Sequence, residues 1–345
     1  MTATIMMKWV KSVSFDKVWM TLLVAFVTLW AFNQTQALQS LYFTIEALIG
    51  IAPFILVSVM FAAYASASGL DQQVAKVFSG HPARAIFLAS VFGAFSPFCS
   101  CGVVPIIAGL LGAGVPLAPV MAFWIASPLM DPEMFVLMLG VFDVEMVAMK
   151  TISAVLMGAG GGAVTYLLLK QGFFVSPLKA YSGCQSSKCS SPDPLEPSKI
   201  VWKFWEDKDR LNSAKATVSQ SGMFLFKWLA LAFFIESLML AYIPADEIGR
   251  LLGGGAWWNI PLAVLAGIPA YLNGYAAIPT VSGLIELGVS PAAGLGFMIG
   301  GGVTSIPAAM AVYALVKKEV FALYIFVGIG GAMAMSFVYS FYLSL

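Results

Sequence analysis

Apolar stretches about as long as a lipid bilayer is thick recur along this chain from residue 17 to residue 343. The hydrocarbon core of a bilayer measures about 30 Å, and a helix needs about 20 apolar residues to cross it. The stretches lie at residues 17–37, 41–68, 83–98, 102–113, 117–142, 146–169, 222–243, 258–273, 279–288, 291–317 and 319–343. Charged residues make up 10% of the chain, whereas a soluble domain carries about 25% and needs them to cover its core. We therefore predict an integral membrane protein with the lipid bilayer as its surroundings.

The two halves of the chain resemble each other. Segment Cys101–Val115 aligns with Tyr275–Val289 at one fixed offset, so that Pro, Gly, Leu, Gly and Val coincide. Each copy is followed by an apolar run with a break, at 127–132 in the first and 300–307 in the second. Paired segments interrupted by Gly or Pro are typical of secondary transporters built from repeats. We predict an all-α polytopic membrane protein with two inverted repeats, re-entrant hairpins and broken transmembrane helices.

The same pattern predicts four regions. Residues 1–40 form an N-terminal transmembrane helix, 41–170 the first repeat, 171–221 a cytoplasmic linker and 222–345 the second repeat. The linker is rich in Ser, Pro and Lys, which is typical of a loop and not of a membrane segment.

Lysine and arginine clusters predict the topology, because cytoplasmic loops are enriched in them. The lysines before residue 18, the loop around Lys76 and Arg84, and the linker all fall on one side if 83–113 is a re-entrant hairpin. If 83–113 is instead one broken crossing, the lysine-rich linker lies outside, and the charge pattern leaves this alternative open. We expect the inner (plasma) membrane of a bacterium.

The motif that carries most chemistry is Ser96-Pro-Phe-Cys-Ser-Cys-Gly-Val-Val-Pro105, between two short apolar limbs. Backbone that leaves a helix inside a membrane must be buried in protein or line a wet cavity. A helix that starts near Gly102 directs its N-terminal dipole at the cysteines and stabilises negative charge there. Thiolates bind copper(I), zinc and other thiophilic species. Cys99, Ser100 and Cys101 are therefore candidate substrate-binding residues, with the two cysteines as metal ligands, although buried cysteines also serve as small apolar side chains.

Further polar residues fall at the corresponding interruptions. Asn273 and Tyr275 lie at the tip of the second predicted hairpin, and Ser127, Thr304 and Ser305 lie at the two helix breaks. We add these five residues to the substrate-binding set.

Three acids in or beside apolar runs are candidates for ion coupling, because an intramembrane carboxyl group is often a proton carrier. They are Glu236, Asp131 and Glu46. Asp131 could equally cap a helix before Pro132, Glu236 could hydrogen-bond a neighbouring helix, and Glu46 could lie near the interface.

The remaining cysteines, Cys184 and Cys189, form a second close pair with weak metal-ligand character, since no other pair lies near them in the sequence. No basic stripe with interleaved aromatic residues indicates nucleic-acid binding. No cofactor motif is present, and the sequence leaves a homo-oligomer open.

The Cys99–Pro105 motif and the Ser127-Pro-Leu-Met-Asp-Pro132 break resemble the bacterial permease family that includes the trivalent organoarsenical efflux permeases. This resemblance covers residues 40–345 in layout and implies a plasma-membrane exporter of thiophilic metalloid or metal species, with Cys99 and Cys101 as substrate thiols. Gly-Val-Val-Pro after Cys101 is less polar than in those exporters and leaves the substrate open.

We expect a permease and not an enzyme, exporting a small thiophilic species of the organoarsenical or arsenite class. Copper or zinc efflux and transport of a sulfur oxyanion or other anion remain alternatives, since helix N-termini suit anions. A third alternative is an intramembrane thiol-redox enzyme that uses Cys99 and Cys101. No GxxxxGK[ST] motif occurs, so the sequence contains no sign of an ATPase.

Overall fold

The computed structural model describes residues 17–69, 80–96, 102–173, 177–178, 202, 204–242, 257–270 and 277–345. These residues form thirteen α-helices and one short 3₁₀ turn, Phe204–Glu206. In chain order the helices are α1 Lys17–Phe32, α2 Gln34–Ser68, α3 Pro82–Ala94, α4 Val103–Gly112, α5 Leu117–Ala126, α6 Pro132–Leu139, α7 Val144–Lys170, α8 Lys208–Tyr242, α9 Asn259–Ala270, α10 Ala277–Glu286, α11 Pro291–Thr304, α12 Ile306–Leu315 and α13 Lys318–Tyr342. No strand occurs in this part of the chain, and Leu178 and Val316 form an isolated antiparallel bridge.

Five helical segments of the described chain are long and apolar enough to cross a membrane, which confirms an all-α polytopic membrane protein. They are Gln34–Ser68, Val144–Lys170, Arg210–Met239, Pro291–Leu315 and Lys318–Tyr342. Large apolar side chains are exposed on these segments and on the shorter helices α1 and α6, including Leu23, Ile49, Phe54, Val136, Leu167, Phe326 and Val338. Such a surface is stable in contact with lipid tails and would be unfavourable in water.

The predicted apolar stretches match helices, with two differences at their ends. The first predicted stretch, 17–37, is not one helix: α1 ends at Phe32, and Asn33 caps α2, its Oδ1 accepting from the Gln36 N–H at 3.1 Å. Helix α8 begins at Lys208, well before the apolar stretch at 222, because its polar first turns extend beyond the apolar span.

One offset relates the helices of the two halves. Pro105 and Pro279 are 174 residues apart, and α8 begins and ends 174 residues after α2 begins and ends. The same spacing separates both ends of α4 from those of α10. It also separates the first residues of α5 and α7 from those of α11 and α13. The element order of the first half therefore recurs in the second with almost unchanged lengths.

Close helix contacts recur at the same offset. A Cβ atom on Gly93 would lie within 3.0 Å of the Phe123 carbonyl oxygen, and one on Gly267 within 3.0 Å of the Phe297 carbonyl oxygen. The first pair places the backbone of α3 against that of α5, and the second places the backbone of α9 against that of α11. Glycine is required at both crossings because any side chain would separate the two backbones.

The turn after the second short helix is also repeated. Gly114 follows α4 with φ +86°, and Gly288 follows α10 with φ +93°. Glycine adopts this left-handed conformation without strain and ends both helices in the same way.

Helices α3 and α7 pack along their length, so their contacts show the direction in which α3 runs. Gly162, eight residues before Lys170, packs against Ile86 near the start of α3. Gly158, one turn further from Lys170, packs against Ser90. Helix α3 therefore starts on the side of the membrane where α7 ends and runs inward.

Helix α5 starts on that same side. Gly162 also packs against Ala118 at the start of α5, whereas Gly158 packs against Ala126 at its end. Only residues 113–116 join α4 to α5, so α4 ends on that side too. Segment 82–112 thus enters and leaves on one side, as the predicted hairpin does.

Equivalent helices of the two halves run in opposite directions. The Nη1 atom of Arg210, in the first turn of α8, donates to the Ala67 carbonyl oxygen in the last turn of α2 at 2.8 Å. Between α7 and α13, Gly161 packs against Val327, and Gly331 packs against Met157. Both pairs, α2 with α8 and α7 with α13, are therefore antiparallel.

We predict that Gly93→Ala and Gly267→Ala each lower the free energy of unfolding by about 1–3 kcal/mol, because the added methyl group overpacks a backbone contact. Gly109 and Gly283 are matched controls, since they too are 174 residues apart and a Cβ on either meets nothing within 4 Å. Unfolding of the purified variants in mixed detergent measures the difference. Equal destabilisation by all four substitutions would contradict the close crossings.

Candidate functional site

The start of α4 and the second helix break each contact the interior of a long helix. Ser58 donates to the carbonyl oxygen of Gly102 and is ten residues before Ser68 at the end of α2, or about 15 Å of helix. Gly328 packs against Val303 at the second break and is ten residues after the start of α13, again about 15 Å. Both points therefore lie well inside helices that are long enough to cross a membrane.

The described residues on either side of the two cysteines are bonded to other helices. Cys99, Ser100 and Cys101 lie outside the described residues. Before them, the Oγ atoms of Ser96 and Ser127 are 2.8 Å apart and buried, which joins the end of the first limb to the first helix break. After them, the Gly102 carbonyl accepts from Ser58 of α2. Of the predicted site residues, Ser127 is thus the one that contacts the limb leading to the cysteines.

The first helix break is capped by Asp131. Helix α5 ends at Ala126 and α6 begins at Pro132, and the Oδ1 atom of Asp131 accepts from the Met134 N–H at 2.7 Å. This satisfies an amide at the N-terminus of α6 that lipid could not satisfy. Capping was one of the two predicted roles of Asp131, and its half-buried carboxylate remains at the break.

The second helix break is held by different groups. Thr304 Oγ1 donates to the Gly300 carbonyl oxygen at 2.7 Å within α11, and Ser305 precedes α12 without a side-chain capping bond. The hydroxyl of Tyr324 on α13 donates to the Val303 carbonyl oxygen. Tyr324 also packs against Trp124 of α5, with ring centroids 5.2 Å apart, so this break touches the first half. Asn273 and Tyr275, predicted for the facing hairpin tip, lie outside the described residues, as do Cys184 and Cys189.

The two remaining acids are not at the breaks. Glu236 is 3% exposed on α8, six residues or about 9 Å before its end, and its Oε2 atom has no hydrogen-bond partner among the described residues. Glu46 is exposed on α2 and lies twelve residues, about 18 Å of helix, before Ser58.

Sequence analysis missed one buried charge, Lys150. Its side chain is fully buried on α7, and its ammonium donates to the thioether Sδ of Met134 at 3.1 Å. The sequence feature that could have identified Lys150 is its position inside a long apolar stretch. A lysine there is unfavourable unless it faces the protein interior.

A crevice of about 380 Å³ opens beside the second break. Its lining is almost entirely apolar. The residues are Ile268, Thr304, Ile306, Ala309, Met310, Tyr313, Phe321, Ile325 and Ile329. Thr304, a predicted substrate-binding residue, therefore borders an open space, while its hydroxyl is used within α11.

The described residues contain no group of three or more His, Cys, Asp or Glu side chains that could hold a metal ion. What they do contain is a set of hydroxyls and one half-buried carboxylate around two broken helices.

Comparison with known proteins gives a family match over most of the chain. The ArsP_1 family, described as "Predicted permease", matches residues 32–341. The chain is also similar to the UPF0718 protein YcgR of Bacillus subtilis (strain 168), with 30% identity over 99 residues. That similarity covers 29% of this chain and 34% of YcgR, so it spans about a third of the relative. No solved structure matches the chain.

We predict that Ser96 and Ser127 are energetically coupled. Each single change to Ala should lower the free energy of unfolding by about 1–3 kcal/mol, because it removes a buried hydrogen bond between the two hydroxyls. The double variant should cost less than the sum of the two single variants, by about 1 kcal/mol. A double-mutant cycle in detergent measures this, with Ser153→Ala as control, since the Ser153 hydroxyl bonds within its own helix. Additive effects would contradict a direct bond.

Proposed function

This chain belongs to the ArsP_1 family of predicted permeases, and from that premise we propose that it exports a thiophilic metalloid or metal species. The observation that carries the proposal is that the described residues on either side of the cysteines are both bonded to other helices. Ser96 is bonded to Ser127 at the first helix break, and the Gly102 carbonyl to Ser58 of α2. Interrupted helices of this kind form the substrate sites of many secondary transporters.

The chemistry of the segment supports a soft substrate. Cys99 and Cys101 supply two thiols, and thiolates prefer thiophilic species such as trivalent arsenic, copper(I) or zinc. Ser100, Ser127, Thr304, Ser305, Asn273 and Tyr275 would add hydroxyl and amide contacts. In this proposal the organoarsenical or arsenite class is the substrate, and the site requires no separate cofactor.

An inverted repeat would provide alternating access to this site. The antiparallel pairs α2 with α8 and α7 with α13 support it, because equivalent helices of the two halves point to opposite sides. The first half then opens toward one side as the second opens toward the other.

The positive-inside rule supports a cytoplasmic location for one face. Lys170, Lys208 and Arg210 lie at helix ends that face the same side as the end of α2. Lys317 lies there too, because its N–H donates to the Pro177 carbonyl oxygen at 3.0 Å, just beyond the end of α7. We infer that this is the cytoplasmic side of the plasma membrane.

Proton coupling is the proposed source of energy. Metal-binding thiolates lose affinity when they are protonated, so protons that arrive from the far side would release the substrate. Glu236 is the first candidate carrier, because it is buried with one carboxyl oxygen unpaired among the described residues. Asp131 is the second, at the first break itself, and Glu46 is the third.

We predict that Cys99→Ser and Cys101→Ser each reduce export of methylarsenite by at least about tenfold, because each removes a soft ligand. Cys184→Ser combined with Cys189→Ser is the matched control and should leave export nearly unchanged. Everted vesicles from a host without its own arsenic exporters measure the rates. Full export by the Cys99→Ser/Cys101→Ser double variant would remove thiol chemistry from the mechanism.

We predict that Glu236→Gln keeps substrate binding but makes the export rate independent of an imposed pH gradient. The amide has nearly the same shape as the carboxyl group but cannot carry a proton. Glu319→Gln, at an exposed position at the start of α13, is the control and should respond to the gradient like wild type. If a protonophore slows Glu236→Gln vesicles as much as wild-type vesicles, Glu236 is not the carrier.

A further inference from the structure

The apolar crevice beside the second break is a groove between two consecutive helices. Seven of its nine lining side chains belong to α12 and α13. On α12 they extend from Ile306 to Tyr313 at spacings i, i+3, i+4 and i+7, which place them on one face of the helix. On α13 they are Phe321, Ile325 and Ile329, which recur at every fourth residue and also share a face. We call this feature the α12/α13 groove.

The groove begins where the two helices are joined and runs toward the second break. At the joint the rings of Tyr313 and Phe321 meet edge to face, with their centroids 5.3 Å apart. At the other end the groove reaches Thr304 and Ile306, on either side of the break. Ile329 is eleven residues after the start of α13, about 16 Å of helix. The apolar part of one membrane leaflet is about as thick, about 15 Å.

The groove is accessible from outside the described residues and offers little to water. Of its lining residues, all but Thr304 are partly or fully exposed. A bound water needs two to four polar partners, and the hydroxyl of Thr304 already donates to the Gly300 carbonyl oxygen. The chemistry of the groove therefore fits an apolar chain.

A positive charge lies at the joint end of the groove. Lys317 and Lys318 are both exposed, and Lys318 lies three residues before Phe321, so it continues the lining face of α13. Glu319 is also exposed but lies about 100° further around the helix. The Lys317 N–H donates to the Pro177 carbonyl oxygen at 3.0 Å, which places the joint on the side where α7 ends. An anionic group fits this end of the groove.

The first half shows that the shared scaffold does not require these lysines. The residues 174 positions before Lys317 and Lys318 are Asp143 and Val144, so the equivalent joint has an acid and an apolar residue in their places. The equivalent of Phe321 is Val147, which is fully buried. The positive-inside rule accounts for a basic joint on the cytoplasmic side, but not for its alignment with an apolar groove.

We propose that the α12/α13 groove binds one anionic phospholipid, with an acyl chain along the groove and the phosphate beside Lys317 and Lys318. Basic residues at the cytoplasmic ends of membrane helices attract anionic headgroups, and the apolar walls supply the contact for the chain. The bound chain contacts Ile306, the first residue of α12, so the lipid supports the helix that follows the second break. Lipid binding does not depend on which substrate is transported.

The first test titrates the purified full-length protein in detergent with phosphatidylglycerol, which is anionic, and with phosphatidylcholine of the same acyl chains. Phosphatidylglycerol should raise Tm by about 2 °C or more, and phosphatidylcholine by clearly less, because a ligand of the folded state stabilises it. Lys317→Gln combined with Lys318→Gln should weaken phosphatidylglycerol binding about 25-fold, since each lysine near an anionic headgroup contributes about fivefold. Equal shifts with the two lipids in wild type would overturn the proposal.

A matched control removes two other exposed lysines, Lys17 and Lys208, at the starts of α1 and α8. The two helices are parallel, as two ring contacts in the same order show: Trp19 with Phe226, and Phe26 with Phe234. Lys17→Gln combined with Lys208→Gln should bind phosphatidylglycerol like wild type. If this control weakens binding as much as the double change at the joint, the attraction is non-specific and the proposal is wrong.

A second pair of variants tests the apolar part of the site. Ile325→Trp fills the middle of the groove and should abolish the phosphatidylglycerol shift. Phe326→Trp changes the next residue, which is 74% exposed and does not line the groove, and should keep the shift. If Ile325→Trp does not fold, Ala309→Leu on the α12 wall replaces it. Unchanged binding in a folded groove variant would contradict the assigned position of the chain.

Two further measurements identify the occupant. Inorganic phosphate and glycerol 3-phosphate, which have no acyl chain, should give no shift, and a shift as large as that of phosphatidylglycerol would indicate a free-anion site instead. Native mass spectrometry should retain one phosphatidylglycerol per chain in wild type and none in Ile325→Trp. A wild-type dimer that binds no lipid and is separated into monomers by Ile325→Trp would show that a second copy of the chain covers the groove.

Discussion

Backbone amides and carbonyls cannot remain unpaired in a lipid environment, and the centre of this protein is organised around that constraint. Two apolar segments are each interrupted between helices, and each interruption leaves several backbone groups outside a regular helix. Asp131 satisfies an amide at the first break, and Tyr324 satisfies a carbonyl at the second. The short limb that ends at Ser96 is fixed by a hydroxyl pair, and the next limb by Ser58. The primary role of these polar residues is thus to hydrogen-bond backbone groups, or each other, where helices are interrupted. The candidate site consists of the same residues.

The two halves have the same backbone arrangement but use different side chains to satisfy the interrupted backbone. The glycine crossings, the left-handed turns and the bounds of two helix pairs agree at a single offset. The polar residues at the breaks do not agree: Asp131 caps the helix after the first break, whereas at the second break Tyr324 bonds to a carbonyl beside an apolar crevice. The two halves therefore share one scaffold but differ in the side chains at their breaks.

Hydropathy predicted most of the fold, because lipid imposes a fixed length and an apolar surface on every crossing. It also predicted both breaks, since Pro and Gly interrupt apolar runs visibly, as at 127–132 and 300–307. Helix ends in polar sequence were missed, as at Lys208, because no hydropathy signal marks a helix that extends beyond the bilayer. Lys150 was missed for a related reason: a lysine close to a helix end is ambiguous until packing shows which way it turns. The burial of Glu236 and the exposure of Glu46 follow from the rotation of each helix about its axis, which neighbours determine and one sequence does not specify.

The bond from Arg210 to the Ala67 carbonyl has a consequence for biosynthesis. The two residues are 143 positions apart, so the ribosome completes the whole first half before the partner of Ala67 exists. During that interval α2 is in the bilayer without α8, and lipid or the insertion machinery covers the face that α8 will later contact. The nascent first half is therefore inserted but incomplete, and assembly finishes only when the second half has been synthesised. Synthesis at about 5–20 residues per second makes this waiting period several seconds to half a minute long.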